Sequence, residues 1–213
     1  MKSESDGVAA ARIEEYAVLL EEATAAVGRH LDELRLALHL LADTGFGALN
    51  EHQLEMLDAA RAAADAAQSE VARLHEIAEL DRRALDVRRE PVRIGDVLRS
   101  LRPQLEAEGA KTGVTLTIDT LPGLPRIIGD RIRLQQALEL LLRHLVRYAM
   151  PGAALAISTR TAGSGVIVAV DHAQPLTLDA DVALARRIIQ AHGGSIDVAA
   201  DVTMVTFPIA SVR

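Results

Sequence analysis

From Ile13 onward, small or apolar residues recur at Ala17, Leu20, Thr24, Val27, Leu31, Leu34, Leu38 and Leu41, in steps that alternate four and three. That spacing is a heptad seam, and it commits the stretch to one long helix that must lie against other helices. Residues 42–49, Ala-Asp-Thr-Gly-Phe-Gly-Ala-Leu, interrupt it, with Gly45 and Gly47 as turn residues. Asn50 is placed to cap a second helix that runs to about Leu80. This helix sets Leu57, Ala60, Ala64, Ala67, Val71, Leu74 and Ala78 on one stripe, and its alanines let a partner helix come close. One two-helix hairpin buries only one side of such seams. Two hairpins related by a two-fold axis bury both as a four-helix bundle, so a homodimer is expected; the alternative is a monomeric hairpin packed on the rest of the chain.

After Pro91 the period changes. A helix from Ile94 to about Gly109 precedes an alternating strand, Val114-Thr-Leu-Thr-Ile118. A connector, Leu121-Pro-Gly-Leu-Pro125, leads to a strongly apolar helix, Arg131 to Ala149. Strand-like runs at 154–159 and 165–170, joined by the hairpin turn Gly163-Ser-Gly165, lead to a helix over about Asp181 to Ala191. Runs at 195–199 and 202–207 follow. The order predicts an α/β sandwich with helices on one face of a mixed sheet, and an α+β chain as a whole. We place a helical dimerisation domain at 8–85 and the sandwich at 91–213.

Several function classes are excluded or disfavoured by composition. Aromatic residues make up only 2%, and Tyr16, Phe46, Tyr148 and Phe207 are isolated, so there is no stacking platform for nucleic acid. A net charge of −7 also argues against a nucleic-acid partner. There is no Cys, which removes disulfides and thiolate chemistry. Neither a signal-peptide core nor a bilayer-spanning run is present, so a cytoplasmic protein is expected. P-loop, G-x-S-x-G and H-E-x-x-H motifs are lacking, as is any metal-spaced carboxylate cluster. The arginine pairs Arg82-Arg83 and Arg88-Arg89 read as a solvated helix end.

From Ile77 onward the residues resemble the sensor histidine kinase core. Ala78-Glu-Leu-Asp-Arg-Arg-Ala-Leu-Asp-Val-Arg-Arg-Glu-Pro91-Val looks like that family's exit from the dimerisation helices into its ATP-binding domain. Asp130, Arg133, Leu134, Gln136 and Leu138 match its "gD-x-x-R-L-x-Q-v-L" helix start, and Gln190-Ala-His-Gly-Gly-Ser-Ile196 matches its "x-x-HGG-x-I" turn. The resemblance covers about residues 31 to 210. It implies a dimerisation hairpin followed by a nucleotide-binding sandwich. A sensor of this family carries an input domain or membrane anchor; these residues contain neither, which leaves a stand-alone intracellular protein or a fragment.

The departures fall on the residues that the resemblance assigns to ATP. The family continues "N-L-L-x-N-A", its second Asn helping to hold magnesium; this chain reads Leu140-Leu-Leu-Arg-His144-Leu145. A neutral imidazole is a poor ligand for a hard cation that prefers oxygen donors, so His144 is read as a partly buried helix residue with a hydrogen-bond partner. In "D-x-G-x-G" the Asp reads adenine; Asp171 survives, but Ala173 and Pro175 replace both glycines, and each added Cβ occupies space the ligand needs. The phosphate-binding "G-L-G-L" becomes Asp179-Ala-Asp181-Val182, setting carboxylates where phosphates bind. Only eight positions separate Asp171 from Asp179, too few for the family's nucleotide lid. No cofactor and no metal are therefore expected.

The phosphoacceptor motif "H-E-L-R-x-P-L" is also altered. Asp32-Glu-Leu-Arg-Leu-Ala-Leu38 puts Asp32 at the His position, and counting back from the turn puts Ala25 there. His30 is a possible relocated acceptor beside Glu33. His39, His52 and His75 read as surface or interhelix residues. Asp32, Glu33, Arg35 and His39 are the residues expected to face a partner. These readings describe a catalytically silent histidine-kinase relative in two-component signalling, one that docks a response-regulator receiver or a partner kinase. It is similar to the histidine phosphotransferases built from a degenerate kinase core. The alternatives are a phosphorelay transferase using His30 and a structural dimerisation fragment.

Overall fold

The computed structural model describes residues 2–42, 47–82, 88–174 and 176–209, without the side chains of 2–19, 21 and 80–82. Gly45, Phe46, Arg83 and Pro175 thus lie outside the described residues, as do the side chains of Ile13, Tyr16 and Ala17. The chain divides into two compact units, Met1–Ala84 and Leu85–Arg213. The fold is α+β: a helical N-terminal part, then a mixed layer of helices and sheet.

The first unit is a hairpin of α1 (Lys2–Leu41) and α2 (Glu51–Arg82). Asn50 starts α2 with a reciprocal cap. The Gln53 N–H donates to Asn50 Oδ1 and the Asn50 N–H to Gln53 Oε1, each at 2.9 Å. Near the turn, Leu38, Leu57 and Ala64 are buried together, with Ala42, Leu49 and Ala60 packed against them. Farther along, buried Thr24 donates to Leu20 O at 2.8 Å and meets His75 Nδ1 of α2 at 3.3 Å. The heptad seam splits into two rows. Buried Thr24 and Leu38 turn toward α2 with half-buried Leu31 between them in the row, whereas Leu20, Val27, Leu34 and Leu41, seven apart, remain 38%, 46%, 47% and 55% exposed.

The second unit has a five-stranded sheet in the order β2-β4-β5-β7-β6. Its strands are β2 (Thr115–Asp119), β4 (Ala154–Ala162), β5 (Gly165–Asp171), β6 (Ser195–Val198) and β7 (Val202–Pro208). β2 and β4 are parallel and every other pair is antiparallel, so the sheet is mixed as expected. Three helices pack with it: α3 (Ile94–Thr112), α4 (Arg131–Tyr148) and α5 (Ala180–Ala191). In α4 the buried set Leu134, Ala137, Leu138, Leu141, Leu142, His144, Leu145 and Val146 forms the stripe that a 3.6-residue period gives. Phe207, the one large aromatic of the interior among the described residues, is fully buried among leucines and isoleucines. A second, two-stranded sheet was not anticipated: β1 (Glu90–Val92) pairs antiparallel with β3 (Ile127–Gly129). Pro91, after which the period changes, sits exposed inside β1, where a two-stranded edge tolerates its missing N–H. Among the described residues, no helix is long and apolar enough to cross a membrane.

Candidate functional site

His144 lies on the inner stripe of α4 and is 1% exposed. Both of its ring nitrogens are engaged. Nδ1 lies 2.8 Å from Asp179 Oδ2, and Nε2 lies 3.1 Å from Thr177 Oγ1. A carboxylate only accepts, so Nδ1 carries a proton toward Asp179; in the neutral ring Nε2 then accepts from the Thr177 hydroxyl. Tyr148, one turn on, sets its ring 4.5 Å from the imidazole at a 42° tilt. Asp179 has a second duty. It is the N-cap of α5, and its Oδ1 accepts the Val182 N–H at 2.9 Å. Two positions on, buried Asp181 places Oδ2 3.8 Å from the Arg147 guanidinium of α4.

At the positions that the resemblance assigns to phosphates, both carboxylates are turned onto protein partners. Asp179 is turned onto an imidazole and a helix end, and Asp181 toward an arginine. The physical reason is desolvation: Asp181 is buried and Asp179 partly so, and a carboxylate drawn out of water is costly unless it is paired or hydrogen-bonded. His144 supplies that partner from the next helix.

Beside this cluster lies an apolar cleft walled by Leu145, Leu155 and Leu176, with Tyr148 and Met150 at its mouth. The space open to the centre of a water molecule is about 20 Å³, close to the ~10–15 Å³ that one water needs. Ala173 and Gln174 also line it, but Asp171 does not: it ends β5 exposed, paired across the sheet with Ala156 and Val202. Its neighbour His172 is the inward residue, 6% exposed, with Nε2 at 2.9 Å from Thr203 Oγ1. Its Nδ1 has no hydrogen-bond partner among the described residues; such a buried, unpaired polar atom costs about 1–3 kcal/mol.

The motifs that carried the resemblance serve the fold. Asp130 caps α4 by accepting from the N–H groups of Ile132 and Arg133. The N–H of Asp130 donates to His192 Nε2 at 3.0 Å, and His192 Nδ1 donates to Ile188 O at 2.7 Å. Gly129 lies so close to this ring that a Cβ there would meet His192 Cδ2 at 2.6 Å. Gly193 has φ +73°, and a Cβ on Gly194 would meet Thr206 O at 2.6 Å. The two motifs, 62 residues apart, are thus one interlock. Sequence reasoning noted each half and missed the coupling.

On the hairpin, His30, Asp32, Glu33, Arg35 and His39 are all exposed. Arg35 and His39, one turn apart, each reach α2: Arg35 Nε lies 2.8 Å from Asp65 Oδ1, and Arg61 donates to His39 Nδ1 at 3.2 Å. With Leu36 they line an open recess of about 450 Å³. Arg61 and Asp65 escaped the sequence reading, since only a heptad register between the two helices would have paired them. His52 is exposed near Glu55, and His75 meets Thr24, in keeping with surface and interhelix roles.

A helical hairpin followed by a mixed sheet backed by three helices is the fold of the histidine kinase core, and solved structures match it. The Acinetobacter baumannii histidine kinase AdeS superposes with a TM-score of 0.65 at 16% identity, over 86% of this chain and 97% of that one. Full-length ShkA, solved in complex with AMPPNP, gives 0.68 at 20% identity, over 90% of this chain and 46% of ShkA. The catalytic domain of the histidine kinase ThkA gives 0.52 at 17% identity, over 58% of this chain and 99% of that domain. The sequence matches no protein-family model and no curated protein.

Proposed function

We propose that this chain is a catalytically silent histidine-kinase relative, a cytoplasmic homodimer that docks a response-regulator receiver domain or a partner kinase and does not bind ATP. The observation that carries this reading is the bridge from His144 to Asp179. The position that resemblance assigns to magnesium and the position it assigns to phosphate are joined to each other by a 2.8 Å hydrogen bond. A nucleotide would have to break that bond, uncap α5 and enlarge a cleft of about 20 Å³. The dimer is supported by the exposed heptad row Leu20, Val27, Leu34 and Leu41, an apolar stripe that a second hairpin would cover. Docking is supported by the exposed set Asp32, Glu33, Arg35 and His39 beside the recess.

Calorimetry with magnesium and ATP is expected to give no binding heat and no rise in melting temperature. Saturable, magnesium-dependent uptake would sink the reading. One observation keeps a phosphorelay as the second reading: His30 is exposed on α1 and open to a receiver's active site. Incubation with a phosphorylated receiver separates the two. Acid-labile phosphate on the wild type and none on His30→Ala supports the relay; a stable complex without phosphate on either supports docking.

A further inference from the structure

We propose that the recess between the start of α3 and the connector from β2 to β3 binds a small dicarboxylate. The recess is open, measures about 520 Å³ and has Arg93, Arg99 and Arg126 in its lining. β1 and β3 bring two of these together. Their ladder ends with Val92 opposite Ile127, so by register Arg93 and Arg126 stand opposite each other one step beyond it, both exposed. Arg93 keeps the extended backbone that this continuation needs, with φ −100° and ψ 111°. Like charges set opposite on neighbouring strands repel. Neither guanidinium has a carboxylate within ion-pair distance among the described residues. The one carboxylate of the lining, Asp96, pairs with Arg99. Three guanidinium groups against one carboxylate leave two positive charges for a ligand to answer.

Where those charges stand selects the anion. A single phosphate is best held at a helix N-terminus, and α3 begins here with Arg93 at its N-cap. Asp96 already occupies the first turn of that helix, and its carboxylate repels a second dense charge at the same place. Arg93 and Arg126 come instead from two separate strands. Each guanidinium fork matches one carboxylate in a two-point grip. An anion with its two charges on separate carbons therefore serves both arginines without crowding Asp96. Leu121 and Leu124 line the same recess and offer apolar surface to a short methylene link. The recess shares no lining residue with the cleft beside His144, so the two sites stand or fall separately.

Succinate is the probe, with butyrate as the same carbon chain bearing one carboxylate and inorganic phosphate as the compact anion. In NMR titrations of the full chain at low salt, succinate is expected to shift the amide signals of Gly95, Thr120 and Gly123 saturably, with a Kd on the order of millimolar. Butyrate and phosphate should each bind at least about fivefold more weakly, the worth of one exposed two-point ion pair. Arg93→Gln and Arg126→Gln should each weaken succinate by a similar factor, whereas Arg160→Gln, on β4, should leave it unchanged. Neither Arg93→Gln nor Arg126→Gln removes an ion pair among the described residues. Both variants should therefore melt at or above the wild-type temperature, which separates lost binding from a lost fold. No saturable shift in the wild type, butyrate or phosphate binding as tightly as succinate, or an equal loss in Arg160→Gln overturns the proposal.

Discussion

His144 and Gly129 show how much one side chain, or the lack of one, settles in this molecule. The imidazole meets Asp179 and Thr177 at once, so truncation takes a partner from half-buried Asp179 and leaves a void beside Tyr148. His144→Ala should therefore destabilise the second unit by about 2–4 kcal/mol in urea denaturation, well above the cost of a surface substitution. Gly129→Ala should cost about 1–3 kcal/mol through overpacking, because the new methyl meets the His192 ring and Leu134. A loss below about 0.5 kcal/mol at either position would contradict this packing. The identity of these residues is legible in the sequence; their partners are not. His144 reads as a partly buried, hydrogen-bonded residue, short of its full burial, and nothing between positions 144 and 179 announces that they meet across two helices. Ala173 lines the cleft, whereas Pro175 falls outside the described residues.

Among the elements, long periodic segments are the most readable. Alternating fours and threes give α1, the alanine stripe gives α2, and the apolar period gives α4, because each pattern repeats over several turns. β1 and β3 escape such a reading because three residues hold no period, and Pro91 signals an ending more strongly than a short edge strand signals a beginning. The heptad also leaves open which row faces α2 and which faces away, since both rows are apolar. The proposed dimer puts a prediction on the outward row. Val27→Glu with Leu34→Glu should raise the dimer dissociation constant at least about a hundredfold by sedimentation equilibrium, because two apolar side chains leave the interface and carboxylates take their place. Thr24→Val, on the inward row, should leave the association state unchanged. A double variant that still sediments as the wild-type dimer would place the interface elsewhere.

For the molecule as a whole, charge is unevenly divided. Residues 1–84 hold 8 Lys and Arg against 17 Asp and Glu, while residues 85–213 hold 15 against 13. Pairing two acidic hairpins is opposed by their own repulsion, and salt screens it over a Debye length of about 10 Å at 0.1 M. Dimerisation should accordingly tighten as sodium chloride rises from about 20 to 300 mM; weakening would indicate an interface held by ion pairs instead. Residues 91–213 expressed alone should unfold in one cooperative, concentration-independent transition, since their buried core is internal to that unit.

On the proposed reading, the double duty of Asp179 makes a nucleotide site hard to build here. Asparagine at 144 would leave a carboxylate facing any incoming phosphate, and glycine at 179 would remove a helix cap and strand an imidazole. Each single change toward the family's motif lowers stability before it yields any ligand. Like a ratchet tooth, the pair resists change one residue at a time: a phosphate cradle would require several substitutions in the same molecule at once.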